Sequence, residues 1–184
     1  MKKLFLTVSL LFAVALCMDA QTYMTRTGKV DFNATTKSSP EKIEAKNNEV
    51  ACIVDAKTGD VRFQILIKSF KFERELMQEH FNENYMESDK FPKSEFKGMI
   101  TNLADVNFGK DGTYNAKVSG KLTIHGVTND VSQPGTITVK GNSVVLAAKF
   151  AVKLKDYNIN IPAVVADKVD KEAAIKLEGD LTKK

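Results

Sequence analysis

The residues that could carry out acid–base, nucleophilic or metal chemistry are few in this chain and lie far apart. It contains two histidines, His80 and His125, and Cys52 has no second cysteine or histidine beside it. A zinc site usually draws three or four ligands from histidine, cysteine and carboxylates, often at close spacing. His80 has only glutamates nearby and His125 has no such neighbour, so the sequence predicts no metal site.

Covalent catalysis has no better support in the sequence. There is no Gly-x-Ser-x-Gly elbow and no glycine-rich phosphate loop. Cys52 lies in the apolar stretch VACIVD, which is typical of a small buried side chain and not of a reactive thiolate. Carboxylate pairs for glycoside hydrolysis meet in space and not in sequence, but most acids here fall at polar strand positions and turns. We therefore predict a protein that is not an enzyme and carries no cofactor.

Apolar residues recur at every second position along much of the chain. We therefore expect β-strands to position the residues that bind a ligand. Such alternation is typical of a strand with one buried and one solvated face. In the longest instance the apolar face consists of Tyr114, Ala116, Val118, Gly120, Leu122 and Ile124. Other instances lie at residues 61–67, 144–154, 29–32, 50–54, 95–101, 136–139 and 174–181.

Clusters of Gly, Asn and Asp separate these strands, at residues 57–60, 109–112 and 140–143. They supply the positive backbone angles that tight hairpins need. About eight strands joined mainly by hairpins predict an all-β fold with an antiparallel sheet. No helical layer is available to cover such a sheet, so it must close on itself as a sandwich or a barrel. The pattern alone leaves a packed interior and a ligand cavity equally open.

The stretch KLTIHGVTNDV at residues 121–131 interrupts the alternation at a His-Gly step. The alternation puts His125 on the polar face, which predicts a solvated histidine with a structural role. Gly126 is then expected to mark a bend or bulge, and residues 128–130 a turn.

One segment, from Glu73 to Lys90, departs from the period of two. Its apolar residues are spaced by one, four and five positions on a charged background, which favours one or two short amphipathic helical turns. Phe91-Pro92 ends the segment, because the residue before a proline is pushed out of the helical region. Just upstream the apolar phase slips by one residue, which predicts a bulge or a strand end near Ser69.

Residues 1–20 have the pattern of a secretory signal peptide, with a charged start, a short apolar run and a small residue at the exit. The run is shorter than the roughly 20 residues of a membrane span. Cleavage after Ala20 would leave a single domain, residues 21–184, in the periplasm or the extracellular medium. Leu16 precedes Cys17 where bacterial lipid attachment wants a small side chain, so Cys17 is expected to leave with the signal. No disulfide then forms within the chain.

The charge balance excludes a nucleic-acid-binding protein. The chain has 27 basic and 23 acidic residues, a net charge of +4, spread along its length. A nucleic-acid interface would gather basic residues on one face with interleaved aromatics. The mild positive charge is compatible with a transient contact with an anionic membrane surface. A monomer and a homodimer are both compatible with this pattern.

Several stretches together resemble the YceI-like family of exported, lipocalin-like barrels that bind polyisoprenoids. In that family a strand ending in Leu-Thr-[Ile/Leu]-x-Gly-Val-Thr follows a helical segment that carries a histidine and ends in an aromatic-Pro step. Here the histidine is His80, and the step is Phe91-Pro92, followed by the strand residue Phe96. The stretches that carry the resemblance are residues 76–92, 91–98, 121–131, 148–162 and 171–181. The chain departs from the family pattern on both sides of His80, where it reads Met-Gln-Glu and Asn-Tyr-Met.

The resemblance implies an antiparallel, eight-stranded, lipocalin-like barrel with an elongated apolar interior. Such a barrel would sequester or carry an isoprenoid-type lipid, either a polyprenyl chain or a quinone, without covalent chemistry. Phe81, Tyr85 and Met86 would form a lid or portal. The inward-facing candidates for contact with the lipid are Phe63, Ile65, Ile67, Val118, Leu122, Ile124, Phe150 and Val152. The alternative for each is ordinary core packing.

Two other functions stay open at this point. An exported β-domain with a filled interior would act as a protein-interaction or cell-surface module. An enzyme acting on an isoprenoid would depend on His80 or His125, which are the only obvious general bases.

Overall fold

A computed structural model describes residues 21–184, so the predicted signal peptide lies outside the described residues. Within this range the chain forms nine β-strands and one short α-helix. The strands are β1 (Thr22–Thr35), β2 (Glu44–Asp55), β3 (Asp60–Leu66), β4 (Lys71–Phe72), β5 (Lys93–Ile100), β6 (Gly112–Ile124), β7 (Val127–Lys140), β8 (Ser143–Lys153) and β9 (Val169–Lys183). The α-helix is α1 (Glu75–His80), and a π-helical turn, Phe81–Tyr85, continues it.

Eight of these strands close into an antiparallel barrel. Their order is β1, β9, β8, β7, β6, β5, β3 and β2, and β2 pairs back onto β1. The two residues of β4 pair with the start of β2. Closure pairs most of the strand edges that an open sheet would expose. The prediction of an all-β, eight-stranded, lipocalin-like barrel is confirmed.

The segment between β3 and β5 covers one end of the barrel. The strand end predicted near Ser69 is confirmed. β3 stops at Leu66, and a 3₁₀ turn, Ile67–Ser69, follows. The predicted helical turns are α1 and the π-helical turn after it. None of the helices described between residues 21 and 184 has the length and apolar character needed to cross a membrane.

Aromatic rings pack the barrel tightly at this end. Phe32 of β1 meets Phe70, Phe72 and Phe81 with ring centroids 5.6 to 6.3 Å apart. Phe81 also lies 5.5 Å from Phe70 and 5.0 Å from Phe72. Edge-to-face and tilted pairs at these distances are favourable beyond their buried area. We call these four residues the aromatic cluster, and it anchors the helical segment to the barrel.

The opposite end of the barrel has its own apolar cluster. It includes the fully buried Cys52 and Val54 of β2 together with Val61 of β3. The connection between β5 and β6 folds over this end, and its Phe108 stacks on Tyr23 of β1 at 5.8 Å. Both ends of the barrel are therefore covered by packed side chains.

Candidate functional site

The interior of the barrel between the two packed ends is not filled by side chains. A cavity of about 540 Å³ lies there, and its wall is mainly apolar. The sequence left a packed interior and a ligand cavity equally open, and the structure has a cavity. Six of the predicted contact residues lie in this wall, namely Phe63, Ile65, Val118, Leu122, Phe150 and Val152.

The sequence reasoning missed part of the cavity wall. Ile137 of β7, Leu146 of β8, and Ile175 and Leu177 of β9 also line the cavity. All four lie in stretches with the same two-residue alternation, so the signal was present in the sequence. To predict that these four residues line the cavity, the curvature of each strand must be known. Curvature decides which inward side chains reach the cavity and which pack at an end of the barrel.

The other five predicted contact residues lie outside the main cavity. Ile67 is buried in the 3₁₀ turn after β3. Ile124 packs against the buried apolar residues at the end of the barrel that the helical segment covers. Phe81, Tyr85 and Met86 line a second cavity of about 260 Å³ beside α1. That placement fits a lid over this end better than a wall of the main cavity.

The two cavities have separate walls. Phe32, Phe72 and Phe81 line the smaller cavity, whereas Phe150 and Ile175 on neighbouring strands line the larger one. Within residues 21–184 no residue contributes to the walls of both cavities. The two cavities are therefore distinct spaces within the described residues.

The reactive side chains lie away from the main cavity or are buried. Burial raises the pKa of the Cys52 thiol far above its ordinary value, so this thiol stays protonated and is a poor nucleophile. His80 is exposed on α1, beside the smaller cavity. In the part of the chain that the structure describes, no three His, Cys, Asp or Glu side chains come together as metal ligands.

A few polar residues also line the main cavity. They include Asn129 and Asp130 of β7 and Glu95 of β5. The Asn129 side-chain amide donates a hydrogen bond of 2.8 Å to the carbonyl of Asp156. A hydrogen bond from the Lys93 ammonium holds the pKa of the Glu95 carboxyl below its usual range, so this group stays ionised. The wall of the cavity is therefore mainly apolar, with a few polar and charged groups.

A profile of the YceI-like domain matches residues 17–181, which is most of the chain. The chain belongs to the YceI-like family. The resemblance that the sequence motifs indicated is thereby confirmed. Among curated protein sequences there is no significant match.

Solved structures from three bacteria share the YceI-like barrel. A polyisoprenoid binding domain from Saccharophagus degradans, implicated in plant cell wall breakdown, aligns with a TM-score of 0.76 and 10% identity over 90% of this chain and 99% of its own. BcnA from Burkholderia cenocepacia aligns with a TM-score of 0.67 and 19% identity over 84% and 96%. A YceI protein from Campylobacter jejuni aligns with a TM-score of 0.56 and 14% identity over 79% and 88%. At these identities the likeness establishes the fold.

In this YceI-like barrel the motif LTIHGVT, residues 122–128, forms the hairpin between β6 and β7. His125 and Gly126 both have positive φ, 49° and 75°, and Ile124 pairs with Val127 across them. Two-residue turns with positive φ match the twist of the flanking strands. The chain reverses at Gly126 before the next strand starts, as predicted, but the prediction of a turn at residues 128–130 is wrong, because they continue β7 in register with β6.

The packing around Gly126 explains why two of the recognisable motifs occur together. A Cβ atom at position 126 would collide with the ring of Phe91, the aromatic residue of the aromatic-Pro step. The Phe91 ring also packs edge-on against His125, with centroids 4.7 Å apart. The step and the hairpin are therefore one packed unit of the YceI-like barrel, and glycine is required at position 126 both for its φ and for this space.

The structure corrects the prediction that His125 is solvated. Its side chain is only 9% exposed. Nδ1 lies 3.1 Å from the carbonyl oxygen of Tyr157, and Nε2 lies 2.7 Å from Oε2 of Glu87. A carbonyl oxygen only accepts, so Nδ1 donates to Tyr157, and Nε2 lies within hydrogen-bond distance of the Glu87 carboxyl. The turn carries His125 off the polar face of β6, and there it ties the hairpin to two other connections.

Replacing His125 with asparagine is expected to lower the free energy of unfolding by about 2 kcal/mol, because two hydrogen-bond partners lose their imidazole. Asparagine tolerates positive φ, so the turn itself is kept. Urea-induced unfolding measures the change. The matched control is His80→Asn, an exposed site where a change within about 0.5 kcal/mol is expected. Equal effects at the two histidines would contradict the role assigned to His125.

Proposed function

We propose that the protein binds an apolar isoprenoid-type lipid, a polyprenyl chain or a quinone tail, and carries or sequesters it without covalent chemistry. The observation that supports this most strongly is the apolar cavity of about 540 Å³ inside the barrel. The likeness in fold to a polyisoprenoid binding domain supports the ligand class. The proposal includes export to the periplasm through the signal peptide of residues 1–20.

The size and chemistry of the cavity suit a branched hydrocarbon tail. Each methylene group moved from water into an apolar site contributes about 0.8 kcal/mol. If a chain carbon needs about the 30 Å³ that a water molecule occupies in the liquid, the cavity holds roughly 18 of them. By the same estimate, this number of carbons corresponds to a tail of about four isoprene units. A longer tail would extend through the opening or displace the aromatic cluster.

The polar residues at the opening favour one orientation of such a lipid. Asn129, Asp130 and Lys153 offer hydrogen-bond donors, acceptors and both signs of charge at the surface. A polar head group kept there retains its hydration, whereas the tail gains from burial. We therefore place the head group at the opening and the tail between β3, β6 and β8.

The decisive measurement is mass spectrometry of an organic extract of the protein, purified from the periplasmic fraction of its native host. We expect an isoprenoid lipid in near-stoichiometric amount. N-terminal sequencing of the same sample is expected to begin at Gln21. Repeated absence of any such lipid, together with failure of the purified protein to bind geranylgeraniol, would contradict the proposal.

A further inference from the structure

The wall of the barrel is open along part of one strand interface. Across residues 21–184, the ladder between β7 and β8 has no pair beyond Gly135 and Ala148. Both strands nevertheless continue. β7 runs back to Val127, where it is paired with β6, and β8 runs on to Lys153, where it is paired with β9. Residues 128–134 of β7 and 149–153 of β8 thus face each other without a ladder, and we call the gap between them the side window.

The sequence accounts for the place where the ladder stops. Pro134 immediately precedes the last pair, and proline has no N–H to donate to a neighbouring strand. The residues that border this point, Gly135, Ala147 and Ala148, have small side chains that leave the gap unfilled. At the far end of the side window the hydrogen bond from Asn129 to the carbonyl of Asp156 joins the two sides again.

The main cavity reaches the surface through the side window. In an intact barrel wall only every second residue of a strand faces the interior. The outward-facing residues that line the cavity lie mostly at the gap, namely Asp130 and Pro134 of β7 and Ala151 and Lys153 of β8, with Thr136 and Ala147 beside it and Glu95 on β5. This concentration of outward-facing residues along the two unpaired edges places the opening between them.

The two ends of the barrel offer no comparable route. The aromatic cluster and the segment from α1 to Met86 fill one end, and Phe81 and Met86 are buried there. Tyr23 and Phe108 stack over the other end. Entry at either end would require packed aromatic rings to separate, whereas the side window requires no such rearrangement.

We infer that the side window is the portal through which the lipid enters and leaves the barrel. The inference rests on the proposed function and adds the route. A single hydrocarbon tail passes between the two strand edges, and the polar end of the molecule stops at Asn129, Asp130, Gln133 and Lys153 on the rim. Unpaired backbone groups of both edges add hydrogen-bond donors and acceptors to this rim.

The test compares the rates at which an apolar probe exchanges. Ala151 is exposed on β8 and lines the side window. In Ala151→Trp the association and dissociation rates of 1-N-phenylnaphthylamine, followed by stopped-flow fluorescence, are expected to fall together by about tenfold, because a narrower route slows both directions alike. The dissociation constant is expected to change by less than about threefold. Lys149→Trp places a ring at a second exposed position of β8 that borders the side window, should Ala151→Trp fold poorly.

The matched control is Val145→Trp, which places the same ring on the same face of β8, in the part that is paired with β7. It is expected to leave both rates unchanged. If all three variants exchange the probe at the rate of the unmodified protein, the portal is elsewhere and the inference is overturned while the proposed function stands. If the unmodified protein binds neither this probe nor geranylgeraniol, both proposals are overturned.

Discussion

Tryptophan in place of Val118 is expected to weaken the binding of geranylgeraniol about 100-fold, because the larger side chain occupies space that the lipid tail would fill. Val118 faces the cavity from the middle of β6. If the indole excludes about four methylene groups of the ligand, the loss is about 3 kcal/mol. Displacement of a fluorescent apolar probe by geranylgeraniol measures the affinity, and urea-induced unfolding shows whether the fold is retained.

Lys117→Trp is the control for this substitution. Lys117 neighbours Val118 on the same strand but is exposed on the outer face of the barrel. The same ring is added there without entering the cavity, so the affinity for geranylgeraniol is expected to stay within about threefold of the unmodified protein. Equal affinities of the Val118 and Lys117 variants would show that the lipid does not occupy the cavity.

Gly120→Val is expected to lower the free energy of unfolding by about 3 kcal/mol, because it forces two strands apart at their closest approach. Gly120 of β6 pairs with Gly98 of β5. A Cβ atom at position 120 would collide with the Cα of Gly98 and with the carbonyl oxygen of Lys97. These are backbone atoms, so no side-chain rotation relieves the overlap. The measurement is again equilibrium unfolding in urea.

Gly109→Val provides the comparison for a glycine that is not crowded. A Cβ atom at position 109 would make only an ordinary contact, 3.4 Å from the side-chain oxygen of Asn107. Surface substitutions of this kind usually change the free energy of unfolding by less than about 0.5 kcal/mol. A small effect at Gly120, or an equally large one at Gly109, would contradict the close approach of β5 and β6.

The Gly98–Gly120 pair also shows how far the sequence could be interpreted. The alternation placed Gly120 on the apolar face of its strand, where a small residue either lets strands curve or leaves room in the interior. The structure shows that it permits a close backbone approach to a strand that lies more than twenty residues earlier in the chain. The partner of a glycine is a property of strand register, and the local sequence of β6 does not contain it.

The sequence predicted only part of the cavity wall, because the rest depends on the tertiary structure. Phe63, Val118 and Phe150 lie in the cavity wall, because alternation decides which face of a strand points inward. Ile67 and Ile124 have the same signal, yet they pack at the end of the barrel. Position along the barrel axis depends on where each strand ends and how it tilts, and periodicity carries no information about either.

The sequence by itself determined that the protein is an antiparallel β-fold with an apolar interior, a short helical segment and the motifs of the YceI-like family. Those conclusions depend on local alternation, turn residues and short motifs. Only the tertiary structure decided that the interior keeps a cavity and that the ladder between β7 and β8 stops at Gly135. It also showed that His125 lies in a nearly buried turn and not on the polar face of β6. In each case the outcome depends on residues far apart in the chain, because closure of a barrel fixes packing, register and hydrogen bonding together.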